Sequence, residues 1–323
     1  MKYWTLRTLR LKNTPDSAPS FNLIALRTWR SHRTVPSRVP GVDKAAVNLL
    51  ICPHCGGDLR ENGASLICSK GHTANIARQG YVSLLGRDSG THTADSAEMI
   101  AARERFLDRD HFSPLFDVVR DMSAGASDGA VLDIGSGTGH YLALALDANP
   151  GVPGIGVDNS KYAARRTARC HERATAVVAD IWDSIPVRDE AATLMLNVFA
   201  PRNGDEMERI LAPDGILIVV TPQSRHLNEL IDRFGMVSVD PDKEERLERS
   251  LGALAELSES RELEWTMALD RESVRDLVAM GPSAGRMAED DLDAAIQALD
   301  EVTSVTAAVT VTKTSSEGSE ERE

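Results

Sequence analysis

From Ala130 onward the chain repeats one pattern five times, a short apolar run followed by a stretch with helical spacing. The runs are AVLDIG, GIGVDN, ATAVVAD, TLMLNVFA and GILIVVTP. Runs of this kind are buried together as a parallel sheet, and each parallel strand needs a crossover helix to bring the chain back. The expected architecture is therefore α/β, with helices on both faces of the sheet. Two later stretches, LEWTMALD and SVTAAVTVTK, alternate apolar and polar residues, as antiparallel strands added to that sheet would.

The first run leads into Gly135-Ser136-Gly137-Thr138-Gly139. Glycines at such a turn let the backbone bend sharply and approach a ligand without Cβ clashes. The carboxyl end of a first parallel strand is where open α/β sheets bind ligands. A dinucleotide fingerprint would place a glycine where His140 stands, so the Gly-x-Gly-x-Gly spacing favours S-adenosylmethionine over NAD. The second run ends in Asp158, an acid suited to two ribose hydroxyls. The third ends in Asp180, beside Ile181 and Trp182, suited to an adenine amino group flanked by apolar neighbours. Each aspartate alone could equally be a helix cap. Three strand-end signals in order make a cofactor site.

Upstream, Cys52-x-x-Cys55 is followed by Cys68-x-x-x-His72. Paired ligands on two tight turns can close a tetrahedron around zinc, and four protein ligands leave no open position, so a structural Zn²⁺ is expected. His54 lies inside the first knuckle and could compete, but His72 pairs with Cys68 and is preferred. The fourth cysteine, Cys170, stands apart, which is no disulfide framework. Between this module and the glycine loop, Asp95 or Ser96 could cap a helix through Glu98, Met99, Ala102, Arg103 and Phe106. A second helix, Pro114 to Met122, would turn Leu115, Phe116, Val118 and Val119 to one side.

Charge is uneven. Up to Val42 there are eight Lys/Arg against one acid, Asp16, so a chain of net charge −13 carries about −20 in the remainder. An acidic body argues against tight nonspecific nucleic-acid binding, though not against a local basic groove. The basic segment is open to three readings: an RNA-binding arm, a targeting-like peptide, or a start codon placed too early. No apolar run approaches the roughly 18 to 20 residues of a membrane span. A cytoplasmic protein without membrane contact is expected. The expected divisions are a basic, disordered extension (1–45), a zinc-binding domain (46–86), a helical linker (87–125), a methyltransferase domain (126–314) and an acidic, disordered tail (315–323). The zinc module is expected to fold separately, so that losing its metal leaves the catalytic domain intact.

From Cys52 to about Lys313 the chain resembles the RlmA-type 23S ribosomal RNA guanine-N1-methyltransferases, which include the tylosin- and mycinamicin-resistance methylases. The resemblance is carried by CPHC…CSKGH, ARQGYVSLL, DSAEMIAARERFLDRDHFSPL, VLDIGSGTGHY, GVDNSKYAARRTARC, NVFAPRN and TPQSRHLNEL. It implies a class I (Rossmann-like) methyltransferase sheet with a small N-terminal zinc-ribbon domain. Cys52, Cys55, Cys68 and His72 would hold zinc. Phe112 would lie against the cofactor, Gly137 and Thr138 would touch its methionine end, and His226 sits in a late loop that reaches it. The substrate would be a guanine in a 23S rRNA hairpin lining the exit tunnel, where in some members the methyl group blocks macrolides. Dimers forming an RNA cleft are also implied. The chain departs from the pattern where family members commonly carry Tyr at the position of Phe112.

Guanine N1 carries a proton at neutral pH, so a general base or stabilisation of charge at O6 would help. The catalytic group is unassigned. Asp95, Glu98, His111 and Asn197 are candidates, each equally readable as a cap or surface polar group. Arg103, Arg105, Arg109 and Arg202 are candidate phosphate contacts. The alternatives are a methyltransferase acting on a small molecule, a zinc-bearing rRNA-binding protein without activity, and, disfavoured by His140, a nicotinamide dehydrogenase.

Overall fold

The computed structural model describes residues 9–10, 41–86, 94–126, 128–237 and 258–315. The chain runs β1 (Leu9–Arg10), α1 (Lys44–Val47), β2 (Leu59–Asn62), β3 (Ser65–Cys68), β4 (Thr73–Asn75), β5 (Tyr81–Ser83), α2 (Ala97–Leu107) and α3 (Ser113–Ser123). It continues with β6 (Ala130–Ile134), α4 (His140–Ala148), β7 (Gly154–Asp158), α5 (Lys161–Thr167), β8 (Ala174–Val178), β9 (Ala192–Val198), α6 (Gly204–Ile210) and β10 (Leu211–Pro222). It closes with α7 (Asn228–Phe234), β11 (Ser258–Asp270), α8 (Arg271–Ala279), α9 (Glu289–Gln297) and β12 (Val302–Ser315). Most of the expected extension and the acidic tail lie outside the described residues, apart from β1 and the few residues around α1.

The five apolar runs become β6 to β10. They sit in one sheet of order β1-β11-β12-β10-β9-β6-β7-β8-β5. The strands from β6 to β10 are mutually parallel, while β12 is antiparallel to both β10 and β11. All five residues of β6 are buried, as a central strand covered on both faces requires. Order reverses beside β6: the chain proceeds outward through β7 and β8, then crosses back to β9 on the other side. Such a switch point opens a crevice at the carboxyl ends of the two strands, the usual ligand site of these sheets.

Local signals explain the helices. Ser96 caps α2 by accepting from Met99 N at 3.2 Å, Ser160 caps α5, and Asp270 caps α8 by accepting from Ser273 N at 2.7 Å. The linker helices fall within a residue or two of expectation; α8 and α9 were not anticipated.

The zinc module does not stand apart from the large sheet but packs against it. Its strands β2, β3 and β4 form a small sheet of their own, but β5 pairs in parallel with β8 at the edge of the large one. Leu50, Leu59, Leu66 and Val82 are buried in the same apolar cluster as Ile155, Ile185, Val187 and Met207. Backbone bonds Ile51 N to Pro186 O and Arg188 N to Leu49 O stitch the seam, and Arg188 pairs with Asp58 at 2.7 Å. The physical reason is area: a module of some forty residues cannot bury enough apolar surface alone, so it leans on the larger core.

Candidate functional site

The glycine loop leaves β6 with left-handed backbone at Gly135 (φ +76°), Gly137 (φ +53°) and Gly139 (φ +78°). A Cβ on Gly135 would lie 2.4 Å from Ala200 Cβ, so glycine is what lets the loops after β6 and β9 meet. The loop is pinned from behind. Thr167 Oγ1 donates to Gly137 O at 3.1 Å and contacts Ser136 Oγ at 3.1 Å. Asp158 accepts Gly137 N at 2.9 Å and Ser160 N at 2.8 Å. Each carboxylate oxygen keeps a further lone pair, so Asp158 can still accept from two ribose hydroxyls. Burial raises its pKa. Asp180 is buried at the end of the next strand and accepts Trp182 N at 3.0 Å, with Ile181 buried and Trp182 about half exposed beside it.

Two observations test whether the cofactor fits. Asp133 is fully buried under the loop, and its Oδ2 has no hydrogen-bond partner. Burial, reinforced by the charge of Asp158, pushes its pKa up to about 8. The orphaned oxygen of Asp133 and the open acceptor positions of Asp158 are polar sites that a ligand's hydrogen-bond donors would satisfy. Helix α4 begins at Gly139, which has no side chain to cap it, and the Leu142 N–H of its first turn meets the Asp133 carboxyl beneath the loop. The residues fit the group.

Thr138 is buried beside the loop, its Oγ1 2.8 Å from His140 Nδ1, and His140 Nε2 lies 3.2 Å from Asp108 Oδ1. The residue that excludes a dinucleotide fingerprint thus ties the loop to the end of α2. Phe112 is buried among rings: Phe106 at 5.4 Å, Trp265 at 5.6 Å, Phe199 at 6.1 Å and His226 at 6.4 Å. His226 Nδ1 accepts Ala308 N at 3.1 Å, which orients its ring toward Phe199 at 5.8 Å. Phe112 and His226, far apart in sequence, therefore share one aromatic wall of the crevice.

The four catalytic candidates separate. Asp95 is paired with Arg103 at 2.8 Å. Glu98 accepts Ser96 Oγ at 2.8 Å, and local backbone N–H bonding together with that hydroxyl lowers its pKa. His111 sits 2.9 Å from Ser273 Oγ on α8, with its pKa lowered by burial and by Arg109. Asn197 is fully buried and donates to Pro201 O at 2.9 Å, bracing the loop after β9. That loop reaches the cradle through Ala200, and its preceding residue, Phe199, holds φ +53°. Left-handed backbone at a bulky residue costs on the order of 1–3 kcal/mol. Sequence reasoning missed Phe199, because no local pattern signals that conformation.

The arginines separate as well. Arg103 binds Asp95 and Met280 O and lies 3.3 Å from where a Gly137 Cβ would be. Arg105 grips the buried Asp276 through Nε and Nη2, which raises its pKa. Arg109 pairs with Glu272 at 2.8 Å. Arg202 differs: among the described residues its one hydrogen bond is to Asn197 Oδ1 at 3.4 Å.

Cys52, Cys55, Cys68 and His72 present ligand atoms within 4.8 Å of one another. Cys55 Sγ lies 3.8 Å from Cys68 Sγ, and His72 Nδ1 lies 3.5 Å from Cys52 Sγ and 3.4 Å from Cys68 Sγ. Tetrahedral zinc with sulfur at about 2.3 Å and nitrogen at about 2.0 Å wants edges of about 3.5 to 3.8 Å. The donor set fits. His72 completes it, while His54 stacks edge-on against His72.

Strand order β8-β7-β6-β9-β10-β12-β11 with β12 reversed, together with this cradle, defines a class I methyltransferase. A model of the RlmA N-terminal zinc ribbon matches residues 50–87. The 23S rRNA (guanine(748)-N(1))-methyltransferase of Streptomyces fradiae is 45% identical over 274 residues, covering 83% of this chain and 97% of that one. The chain belongs to the RlmA-type 23S rRNA (guanine-N1)-methyltransferase family. A Micromonospora griseorubida protein, named provisionally as a 23S rRNA (guanine-N(1)-)-methyltransferase, is 44% identical over 80% of this chain and 95% of its own length. Among solved structures, the YcgJ protein of Bacillus subtilis aligns with 17% identity and a TM-score of 0.42, over 62% of this chain and 97% of that one.

Proposed function

We propose that this chain methylates N1 of a guanine in 23S rRNA, using S-adenosylmethionine and holding a structural zinc. One observation carries the reading: the glycine loop and the loop after β9 meet at the switch point, Gly135 against Ala200. A methyl donor on one loop then faces an acceptor on the other. The cofactor supplies a methyl group already activated on a positively charged sulfur. The protein's work is alignment and exclusion of water. Asp158 and Asp180 would take the ribose and adenine, and Gly137 and Thr138 the methionine end. The family relation supports rRNA as the partner. No helix among the described residues is long and apolar enough to cross a membrane, in keeping with a cytoplasmic reading.

The test is mass mapping of 23S rRNA from cells with and without the gene. One 1-methylguanine should vanish in the deletion strain and return with the wild-type gene. A full complement of 1-methylguanine in the deletion strain would sink the substrate assignment.

A further inference from the structure

The loop after β9 holds two features that neither the cradle nor the ribbon uses. Phe199 keeps left-handed backbone and leaves 40% of its surface exposed, although it is a large apolar residue. Its conformation is enforced from several sides. Its own N–H donates to Val220 O at 3.1 Å, and Asn197 braces Pro201 O at 2.9 Å. The result aims a ring into the crevice, one residue from the contact with the glycine loop, beside Phe112 and His226. Strained residues held this firmly cluster where a ligand is gripped.

Arg202 is the second feature. It is partly buried, and burial lowers its pKa. No carboxylate among the described residues pairs with it, whereas Arg103, Arg105 and Arg109 each have one. A desolvated cation without a counter-ion is costly, and the cost is recovered when a ligand brings an acceptor. Asn197 Oδ1, its one hydrogen-bond acceptor among the described residues, belongs to the residue that shapes the Phe199 loop.

We propose that this loop is the guanine site, with Phe199 stacking on the extruded target base and Arg202 donating to its O6. The proposal rests on the guanine-N1 reading. Aromatic faces stack on unpaired bases, and a guanidinium fork matches guanine O6 and N7. Charge is handled as follows. The N1–H bond breaks, the proton leaves to water, and its electron pair stays in the ring, shared between N1 and O6. Arg202 neutralises the charge on O6. N1 then gives the pair to the methyl carbon as the carbon–sulfur bond breaks onto sulfur, leaving a neutral base and a neutral thioether. The step needs no carboxylate base, which explains why Asp95 and Glu98 are already engaged elsewhere.

The experiment uses the zinc-loaded full chain and an rRNA hairpin containing the mapped guanine. Single-turnover methylation is followed against pH for wild type, Arg202→Met and Arg202→Lys. Binding of S-adenosylhomocysteine is measured in parallel by calorimetry, and should be unchanged. Arg202→Met should slow methylation at pH 7 by about 100-fold or more, the loss typical of a removed oxyanion donor. The deficit should shrink as pH rises toward the ionisation of N1 itself. It should also shrink with 6-thioguanine at the target, whose N1 proton is more acidic. Arg202→Lys should recover part of the rate. Phe199→Leu should weaken hairpin binding by about tenfold, and Phe199→Tyr should restore it. A deficit equal at every pH, or one confined to RNA affinity, would make Arg202 a phosphate contact and overturn the proposal. So would Phe199→Leu binding like wild type. A wild type that methylates a guanine while Arg202→Met is fully active defeats this proposal alone; a wild type that methylates none defeats the underlying reading with it.

Discussion

Asp133 is the residue on which the cradle's electrostatics turn. Its carboxyl is buried, one oxygen is unpartnered, and its pKa of about 8 lies well above the usual carboxylate range, chiefly through burial. A carboxyl raised on folding favours the protonated native state. The stability it contributes is fully present below about pH 4, and is lost as pH rises through about 8. The ligand-free protein should therefore lose thermal stability across that window, and Asp133→Asn should flatten the slope. The two melting temperatures should diverge most near pH 8, with the variant higher. Parallel melting curves from pH 5 to 8 would show that Asp133 does not titrate in this way. Aspartate at this position was legible as the end of a strand. Its missing partner was not, because burial depends on helix α4 and on Asp158, neither of which a local window contains.

At the scale of elements, α2 and α8 are clamped to each other. Arg105 on α2 reaches the nearly buried Asp276 on α8, and Arg103 reaches Met280 O at the end of α8. Arg103 also lies against the Gly137 position, so the clamp extends to the cofactor loop. Asp276→Ala removes charge-assisted bonds that are worth about 1–3 kcal/mol in total. Half of the Arg105 side chain remains in water, which limits the loss. Chemical denaturation should report a destabilisation of that size, with S-adenosylhomocysteine bound more weakly; a change under about 0.5 kcal/mol would mean the clamp is a solvated surface pair. The β–α repeat made the sheet readable from sequence, since each strand advertises itself locally. The arginines were not readable. In sequence Arg103, Arg105, Arg109 and Arg202 look equally available for phosphate, and only tertiary pairing sets Arg202 apart.

For the whole molecule, the ribbon and the sheet share one apolar core. Cys68 is buried next to Leu66 in the core that also holds Ile185 and Val187. Cys68→Ser should lower zinc content from about one equivalent, and should also lower the melting temperature of the catalytic part, because β5 loses its anchorage. Metal analysis with calorimetric melting checks this. Full zinc loading, or an unaltered main transition in a zinc-free variant, would restore the picture of two independent modules. The cysteine spacing pointed to the cluster that the fold brings together, Cys52, Cys55, Cys68 and His72, while leaving His54 as a competitor. It could not disclose the shared core, because Tyr81 pairs with Ala176, and nothing in either segment names the other.

That pairing also sets an order of assembly during synthesis. Strand β5 leaves the ribosome long before β8, so the zinc-ribbon segment can be complete while its future neighbour is still untranslated. When β8 arrives, an open row of backbone donors and acceptors meets a strand already waiting for it. An uncovered edge of this kind would otherwise be a template for pairing with another chain. A metal bound by the four ligands before β8 emerges would fix the segment leading to β5 ahead of this pairing, so metal supply would bear on how this edge of the sheet is sealed.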